Sequence, residues 1–430
     1  MSDLDPEPEL DFTGERKRLA TVALFMLVGV NVMNQVDRQI MSVLVEPVRE
    51  DLGLSDTQIG LLVGLAFALF YTFAGLPIAR LADRGNRRKL IVVSLTLWSG
   101  MTAVCGFAQN FVQLLLARVG VGVGEAGCAP AAQSLISDYF PPSHRARSLA
   151  TYQLGVPIGI FVGSVVGGTL SDVLPWRQVF FVFGAPGLLL ALVTYFVLKE
   201  PARGSWDGQS DSDEVEPISQ VLRFLWSLPA MRHILIAASL HTLTLSAQVT
   251  FNFAFLTRVH GLTGAQAGWA IGLLNAVFGT FGTYMGGWIG DRLGPRDARW
   301  YIWSLGLGAI ASIPFSVFAY ITESATLAVV ALSLGVIGSY MYAGAVHAVS
   351  QSLAKPRMRA MSAAIMLFSM NLFGYGFGPP LAGVLSDILG GEGALRYALA
   401  GMNIVLLWSC LHYWLSARTY REDLRVSRAA

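Results

Sequence analysis

Two short stretches of the sequence repeat each other: residues 79–88, ARLADRGNRR, and residues 287–296, GWIGDRLGPR. Each follows a long apolar run and carries an Asp-Arg pair, followed by two further arginines in the first stretch and one in the second. A second echo pairs residues 168–172, GTLSD, with residues 383–387, GVLSD. Because equivalent stretches recur at a nearly constant spacing, the sequence indicates an internal duplication and predicts two related halves.

The composition places both halves in a membrane. Of the 430 residues, 54% are hydrophobic and only 13% are charged, about half the charged share of ordinary soluble proteins. So few charges cannot cover the surface of a soluble protein of this length, whereas lipid solvates apolar side chains. The acidic first 15 residues do not resemble a signal peptide, and we expect the long apolar run after them to remain as the first helix.

The apolar runs predict an all-α membrane protein with twelve transmembrane helices in two pseudo-symmetric six-helix bundles. A spanning helix needs about 20 mostly apolar residues. Twelve segments meet this requirement, at residues 19–45, 57–82, 89–108, 111–138, 146–172, 177–198, 231–257, 264–290, 299–321, 325–352, 358–386 and 395–417.

Polar stretches divide the chain into a tail, a bundle, a linker, a second bundle and a second tail. Within the linker, apolar side chains of residues 217–228 share one helical face, which predicts a short helix on the membrane surface. The predicted bounds of the five parts are 1–18, 19–198, 199–229, 230–418 and 419–430.

The positive charges are concentrated in every second predicted loop. If both tails are cytoplasmic, all but six of the 30 Lys and Arg residues fall in cytoplasmic segments. The positive-inside rule therefore predicts cytoplasmic tails and supports the helix count. We expect a multi-pass protein of the plasma membrane, in a bacterium the inner membrane. The six exceptions are Arg38, Arg49, Arg118, Arg177, Arg258 and Arg396.

The stretches 79–88 and 287–296 resemble the major facilitator superfamily pattern Gly-x-Leu-Ala-Asp-Arg-x-Gly-Arg-Arg. The second stretch matches well, while the first has Ala79 in the leading position and a displaced Gly85. Further motifs are similar to the Spinster branch of that superfamily. The resemblance implies alternating-access, proton-linked transport of lysophospholipids or sphingosine phosphate. The Spinster-like motifs are Asn34-x-x-Asp37-Arg38, LSDTQIG at 54–60, RVGVGVGEA at 118–126, FPP at 140–142 and Trp176-Arg177.

Four charged residues lie deep within predicted helices: Asp37, Arg38, Arg118 and Glu125. Each is costly in hydrocarbon unless it is paired or hydrated, which makes each a functional candidate. A rise of about 1.5 Å per residue places Asp37 and Arg118 at similar depth, with Glu125 two turns deeper. We predict that Arg118 exchanges between the two carboxylates, because a buried carboxylate that loses its cationic partner favours the protonated form. The alternative is a static salt-bridge network joining helices one and four.

Two further patterns point to moving contacts between the halves. The resemblance implies that Asp83, Arg84, Asp291 and Arg292 form a gating latch that holds the outward-open state; the alternative is that these charges only set the topology. Glycines repeat every four residues on helices five and eight, which lets helix backbones approach closely. We predict that they form the sliding seam between the halves, with ordinary helix packing as the alternative. They are Gly155, Gly159, Gly163, Gly167, Gly282, Gly286 and Gly290.

Helix seven is rich in polar side chains and the C-terminal half in aromatic ones, which together predict a cavity for an amphipathic substrate. Arg258, near the outer end of helix seven, is expected to be a rim charge. Lone histidines such as His241 and His347 are more often structural than proton carriers. The candidate cavity residues are His241, Gln248, Phe251, Asn252, Phe255, Tyr284, Tyr342 and Phe373.

Other functions find little support in the sequence. It contains no zinc-protease motif or nucleophile elbow, and its three cysteines all fall in apolar runs, so we expect no catalytic residue, metal or cofactor. No basic run interleaved with aromatics indicates nucleic acid. The expected partners are membrane lipids, protons and an amphipathic small molecule, bound by a monomer. The alternatives are a carrier of organic anions, sugar phosphates or drugs, and a non-transporting membrane sensor.

Overall fold

The computed structural model describes residues 12–206, 217–391 and 393–429, and most of them are helical. Helix is expected because hydrocarbon offers the backbone no hydrogen-bond partner, so each segment must satisfy its own N–H and C=O groups. Eleven helices in these ranges are long and apolar enough to cross a membrane. Residues 264–293 form a further continuous helix whose many glycines lower its mean hydropathy, and it completes the predicted twelve.

We number these segments span 1 to span 12, and their bounds agree with the predicted ones to within a few residues at most ends. The predicted surface helix is also present, at Ile218–Ser227; residues 207–216 of the predicted linker lie outside the described ranges. The spans are Gly14–Val43, 56–84, Arg87–Cys105, Phe111–Tyr139, Pro142–Ser171, Trp176–Val197, Pro229–Arg258, 264–293, Trp300–Ile321, Ala325–Ser352, Arg359–Leu389 and Ala394–Ala429.

Span 12 is longer than the predicted segment 395–417, because the helix continues through residues 418–429 into the predicted tail. Two contacts hold this extension against its own bundle. The Asp423 carboxylate accepts a hydrogen bond of 2.7 Å from the backbone N–H of Ala230, at the start of span 7. Arg421 pairs with Asp297 in the loop before span 9, at 2.6 Å. Hydropathy finds only the membrane-crossing part of such a helix.

Spans 1–6 form one bundle and spans 7–12 the other. We call the face that carries the start of span 1, the end of span 12 and the surface helix the terminal face, and the other the opposite face. Span 2 meets span 11, and span 5 meets span 8, mainly towards the opposite face. Towards the terminal face, the end of span 4, the start of span 5 and the end of span 8 pack chiefly on their own bundles. The molecule is therefore closed at its opposite face.

Three spans at the junction between the bundles contain a π-helical turn. These turns lie at Leu61–Leu65 in span 2, Leu274–Gly279 in span 8 and Met370–Tyr375 in span 11. A π turn inside an α-helix commonly marks a functional region, because it redirects side chains and weakens the regular hydrogen-bond ladder. All three flank the middle of the molecule, where the two bundles separate.

The predicted glycine seam is wrong in its residues, although spans 5 and 8 do meet. Every predicted glycine packs within its own bundle, because a four-residue repeat identifies a close-packed helix face but not the helix it faces. Span 1 covers the glycines of span 5, while spans 9 and 10 cover those of span 8. The glycines concerned are Gly155, Gly159, Gly163, Gly167, Gly282, Gly286 and Gly290.

The contact between spans 5 and 8 uses other small residues. A Cβ added at Gly168 would meet the carbonyl oxygen of Gly264 at 2.2 Å, and one at Gly268 would meet the carbonyl oxygen of Ser164 at 2.3 Å. Such distances exclude any side chain, so the two backbones touch directly. These residues form the seam between the bundles at the opposite face.

A buried arginine organises the terminal face of the first bundle. Arg87 belongs to the stretch 79–88, and its side chain is almost fully buried. It donates to Glu200 at 2.8 Å and to the Ser134 hydroxyl at 3.0 Å, and it pairs with Asp138. The start of span 3, the end of span 4 and the chain beyond span 6 are thereby joined.

Replacing Arg87 by Met should lower the stability of the first bundle. The change leaves Asp138 and Glu200 without their cation, and breaking a largely buried pair in this way costs about 3 kcal/mol. We expect a clearly lower melting temperature for the detergent-purified protein. The control is Lys89→Met, because Lys89 is exposed and should leave the melting temperature within error; equal melting temperatures for both variants would contradict the structural role.

Candidate substrate and coupling site

A cavity lies between the bundles, near the middle of the spans. Both bundles contribute to it, spans 1, 2, 4 and 5 from one side and spans 7, 10 and 11 from the other. Its wall combines charged, amide, hydroxyl and aromatic groups. The lining residues are Gln35, Arg38, Gln39, Ser42, Val63, Phe67, Ala68, Tyr71, Arg118, Ile160, Ser246, Val249, Thr250, Tyr340, Asn371, Tyr375 and Pro379.

An ion pair crosses the wall of this cavity. The Nε of Arg38 donates to Oε2 of Glu125 at 2.7 Å. The Glu125 side chain is fully buried, whereas 34% of the Arg38 side chain is exposed. The guanidinium also lies 4.8 Å from the ring centroid of Phe67 and 4.9 Å from that of Tyr71, within cation–π range. Arg38 thus stands between a buried carboxylate and the open cavity.

A second pair of charges lies beside the first. Asp37 is completely buried, and the charged groups that act on it are Glu125 and Arg118. Arg118 reaches the cavity wall, with its guanidinium 5.6 Å from the Phe67 ring centroid. The Asp37 carboxylate lies near the side chains of Thr102 and Trp98. Among the described residues, neither of its oxygens, and neither Nε nor Nη1 of Arg118, forms a well-aligned hydrogen bond. These groups are therefore able to form new contacts.

A network of ion pairs closes the opposite face. Arg258 at the end of span 7 donates to Glu46 at 2.7 Å, and to both carboxylate oxygens of Asp56 at 2.8 and 2.9 Å. The Ser386 hydroxyl of span 11 donates to the same Asp56 at 2.7 Å. Arg258 was expected to be a rim charge; instead it joins the two bundles, since Glu46 and Asp56 belong to the first.

A neighbouring ion pair at this face stays within one bundle. Arg177 at the start of span 6 donates to Asp51 at 2.7 Å. This hydrogen bond lowers the pKa of the exposed Asp51 carboxyl below its ordinary value. Because both residues belong to the first bundle, the pair does not resist separation of the bundles.

Comparison with known proteins identifies the family. The family model described as Major Facilitator Superfamily matches residues 27–374. This chain belongs to that superfamily. A solved bacterial homologue of the human lysosomal transporter Spinster, in an inward-facing and unoccupied conformation, superimposes with a TM-score of 0.88. The two are 30% identical, and the match covers 95% of this chain and 98% of the other. The chain is thus a Spinster-like superfamily transporter.

Two proteins with similar sequences are described as transporters of different kinds. An MFS-type efflux pump of Mycolicibacterium smegmatis is 34% identical over 425 residues, covering 96% of each chain. A probable sphingolipid transporter, spinster homolog 2 of Arabidopsis thaliana, is 26% identical and covers 87% of this chain and 80% of its own.

In this Spinster-like transporter, the four deep charges come together, but their pairing differs from the expected one. Glu125 is held by Arg38 and not by Arg118. Estimates of depth could not predict which arginine pairs with Glu125, because the direction of a side chain matters as well as its depth. Neighbours in a helix such as Asp37 and Arg38 point about 100° apart. The exchange of Arg118 between the carboxylates stays a prediction.

The eight residues predicted for the cavity lie elsewhere in this conformation. His241 is buried within the second bundle, where its Nε2 lies 2.9 Å from the carbonyl oxygen of Ser339 and its ring stacks on Tyr342 at 4.1 Å. Asn252 accepts a 2.8 Å hydrogen bond from the Tyr320 hydroxyl. Gln248, Phe251 and Phe255 are buried in the interior, and Tyr284 is 70% exposed. Phe373 is 50% exposed and lines a separate apolar pocket beside the helix Ile218–Ser227.

The second bundle instead lines the cavity with a different face of span 7. Ser246, Val249 and Thr250 point inward. Span 10 contributes Tyr340, whose hydroxyl donates to Asn275 at 2.9 Å, and span 11 contributes Asn371. The spacing of residues 246, 249 and 250 marks one helical face, and this spacing could have identified the cavity-lining side of span 7 from the sequence. This face was not recognised from the sequence because polar residues occur all around span 7.

Of the predicted gating charges, the two in the second bundle do not join the bundles here. Asp291 and Arg292 are exposed, and the Arg292 guanidinium lies 5.4 Å from the Trp288 ring centroid. Within the described ranges, neither forms an ion pair with the first bundle. The side chains of Asp83 and Arg84 lie outside the described part of the chain.

Proposed function

We propose that this chain is a proton-coupled carrier of an amphipathic, lipid-like anion of the lysophospholipid or sphingoid phosphate class. The observation that supports it is the Arg38–Glu125 pair at the cavity wall. A guanidinium is permanently charged and offers a forked set of donors that matches phosphate. Arg38 already directs part of its surface into the cavity, so a phosphate group has access to it.

Coupling follows from competition for Arg38. A bound phosphate draws the guanidinium away from Glu125, and the buried carboxylate then takes up a proton, because an isolated charge is costly in a membrane interior. Release of the substrate returns Arg38 to Glu125 and expels the proton. Arg118, beside Asp37, is proposed to hold whichever carboxylate remains ionised.

The composition of the cavity wall supports an amphipathic substrate. Arg38 and Arg118 provide positive charge, while Phe67, Tyr71 and Tyr375 provide aromatic surface beside them. Pockets for such ligands combine a largely apolar lining with a few well-placed polar groups. The likeness to Spinster proteins, one of them described as a probable sphingolipid transporter, supports the same class.

We propose that the terminal face is the cytoplasmic one, since most Lys and Arg residues lie on that side. In a plasma membrane the present arrangement is then open towards the cytoplasm. Asp83, Arg84, Asp291 and Arg292 are proposed to close the cytoplasmic side in the outward-open state. The protein is proposed to act as a monomer.

Export of drug-like molecules is the second candidate. The likeness to the efflux pump covers 96% of both chains, and the same carboxylate chemistry serves an exchange of drug against proton. A cationic drug would associate with Glu125, whereas an anionic lipid would associate with Arg38. The two candidates therefore differ in the charge of the substrate.

Proteoliposomes with an internal pH dye distinguish the candidates. Lysophosphatidylglycerol and sphingosine phosphate should drive protons across the membrane in the presence of the protein, while glucose 6-phosphate and ethidium should not. Protein-free liposomes correct for leak caused by the lysolipid itself. Movement driven by ethidium alone would favour efflux, movement driven by glucose 6-phosphate would favour a small-anion carrier, and no movement with any probe would favour a non-transporting sensor.

A further inference from the structure

The repeated motif GxLSD, at residues 168–172 and 383–387, has no role in the cavity. It ends span 5 in the first bundle and span 11 in the second. A further repeat lies at the starts of spans 2 and 8, where LSDTQIG at 54–60 corresponds to LTGAQAG at 262–268. The structure brings the end of each GxLSD motif to the start of a span in the other bundle.

The first contact joins span 5 to span 8. The two carboxylate oxygens of Asp172 accept hydrogen bonds from the backbone N–H groups of Gly264 at 2.7 Å and Ala265 at 2.8 Å. These are the first two residues of span 8. A Cβ at position 264 would lie 2.5 Å from the carbonyl oxygen of Gly168, so only glycine permits this approach.

The second contact repeats the first with the bundles exchanged. The carboxylate of Asp387, at the end of span 11, accepts from the backbone N–H groups of Asp56 at 3.0 Å and Thr57 at 2.9 Å. These residues begin span 2. A Cβ at Gly383 would lie 2.2 Å from the carbonyl oxygen of Asp56, so glycine again allows the contact.

Each span start is also capped from within its own bundle. Thr263 accepts from the backbone N–H of Gln266 in a capping box, and Ser55 does the same with Gln58. A helix start leaves several N–H groups without an intrahelical partner, and it carries a partial positive charge. The local caps satisfy later N–H groups, while the carboxylates from the other bundle satisfy the first two.

We propose that Asp172 and Asp387 form two pseudo-symmetric latches that hold the opposite face closed. Both contacts cross between the bundles, and both must break when that face opens. In the open state water becomes the hydrogen-bond partner of the carboxylates and of the freed N–H groups. Each latch therefore gives the closed state only a moderate advantage in free energy. The two act together with the Arg258 ion pairs but use mainly backbone donors, to which the Thr57 hydroxyl adds a bond to Asp387 at 2.5 Å. They do not depend on which substrate is carried.

Double electron–electron resonance in nanodiscs measures this preference. One label pair, at Gln109 and Glu323, reports the width of the opposite face, and a second pair, at Ala146 and Gln351, reports the terminal face. The native cysteines are replaced by Ser so that only the labels react. These three are Cys105, Cys128 and Cys410.

Asp172→Asn and Asp387→Asn keep the side-chain shape and remove the charge. Loss of a helix-start cap shifts an equilibrium roughly 2- to 30-fold, so each variant should raise the ratio of long to short Gln109–Glu323 distances by that factor. The double variant should show the product of the two factors, because the latches join different pairs of spans and share no residue. The Ala146–Gln351 distances should shorten in parallel.

Two controls separate the latches from general effects on this face. Asp51→Asn changes the same charge at the same face, but its partner Arg177 belongs to the same bundle. Thr263→Ala removes a local cap of span 8 that exists whether the bundles are closed or open. Both controls should leave the distance distributions unchanged. A double variant whose distributions equal those of Asp51→Asn would overturn the proposal, and the single variants answer the same question if the double variant does not fold.

Discussion

Glu125→Gln should abolish proton-driven accumulation of substrate while leaving substrate exchange intact. The amide cannot give up or take up a proton in the working pH range, so substrate movement loses its link to the proton gradient. Gln still fills the buried site behind Arg38, which preserves the cavity. In proteoliposomes we expect accumulation driven by a pH gradient to fall at least about tenfold, because Glu125 is the carboxylate paired with Arg38 and neighbouring Asp37 does not contact that guanidinium group in an ion pair among the described residues.

Exchange of labelled for unlabelled substrate in the same vesicles is the internal control. It needs binding and alternating access but no net proton movement. The matched variant is Glu323→Gln, because Glu323 is an exposed carboxylate in the loop between spans 9 and 10 and should behave as the unaltered protein. Undiminished accumulation by Glu125→Gln would remove this residue from the coupling mechanism.

Arg38→Ala should have the second large effect, on substrate affinity. Hydrogen bonds to a charged group contribute about 1.5–3 kcal/mol, so loss of the guanidinium should weaken binding of a phosphate-bearing substrate by roughly 10- to 150-fold. Arg38→Lys keeps the charge but not the forked donors or the stacking on Phe67 and Tyr71. It should therefore recover only part of the affinity.

Binding assays on detergent-purified protein compare these variants with Arg177→Lys, an arginine at the opposite face outside the cavity. That control should retain full affinity. Equal affinities for Arg38→Ala and the unaltered protein would mean that the substrate headgroup binds elsewhere, and Arg118 would then be the next arginine to test.

Most of the fold could be predicted from the sequence because lipid imposes a simple rule. Long apolar runs must be helices, and loop charges set their direction, so nearly all bounds followed from hydropathy. The alternation of the loop charges supported counting the glycine-rich span 8 among the twelve. Span 12 shows the limit of this approach. Its last turns leave the apolar region, and contacts such as Asp423 with Ala230, which no local pattern reveals, keep them helical.

The site was predictable in its charges but not in its contacts. Asp37, Arg38, Arg118 and Glu125 stood out because ionised groups are rare in hydrocarbon. Their pairing depends on how each helix is rotated about its own axis, and a single sequence does not specify that rotation. Aromatic and small residues occur on all faces of a membrane helix, so the predicted cavity aromatics and seam glycines faced other neighbours.

In the proposed mechanism a substrate anion and Glu125 compete for Arg38. Calorimetric titration with lysophosphatidylglycerol in two buffers of different ionisation enthalpy measures this competition, since the difference in heat counts protons. We expect uptake of about one proton for each substrate bound to the unaltered protein, and none for Glu125→Gln. Heats independent of the buffer for the unaltered protein would contradict it.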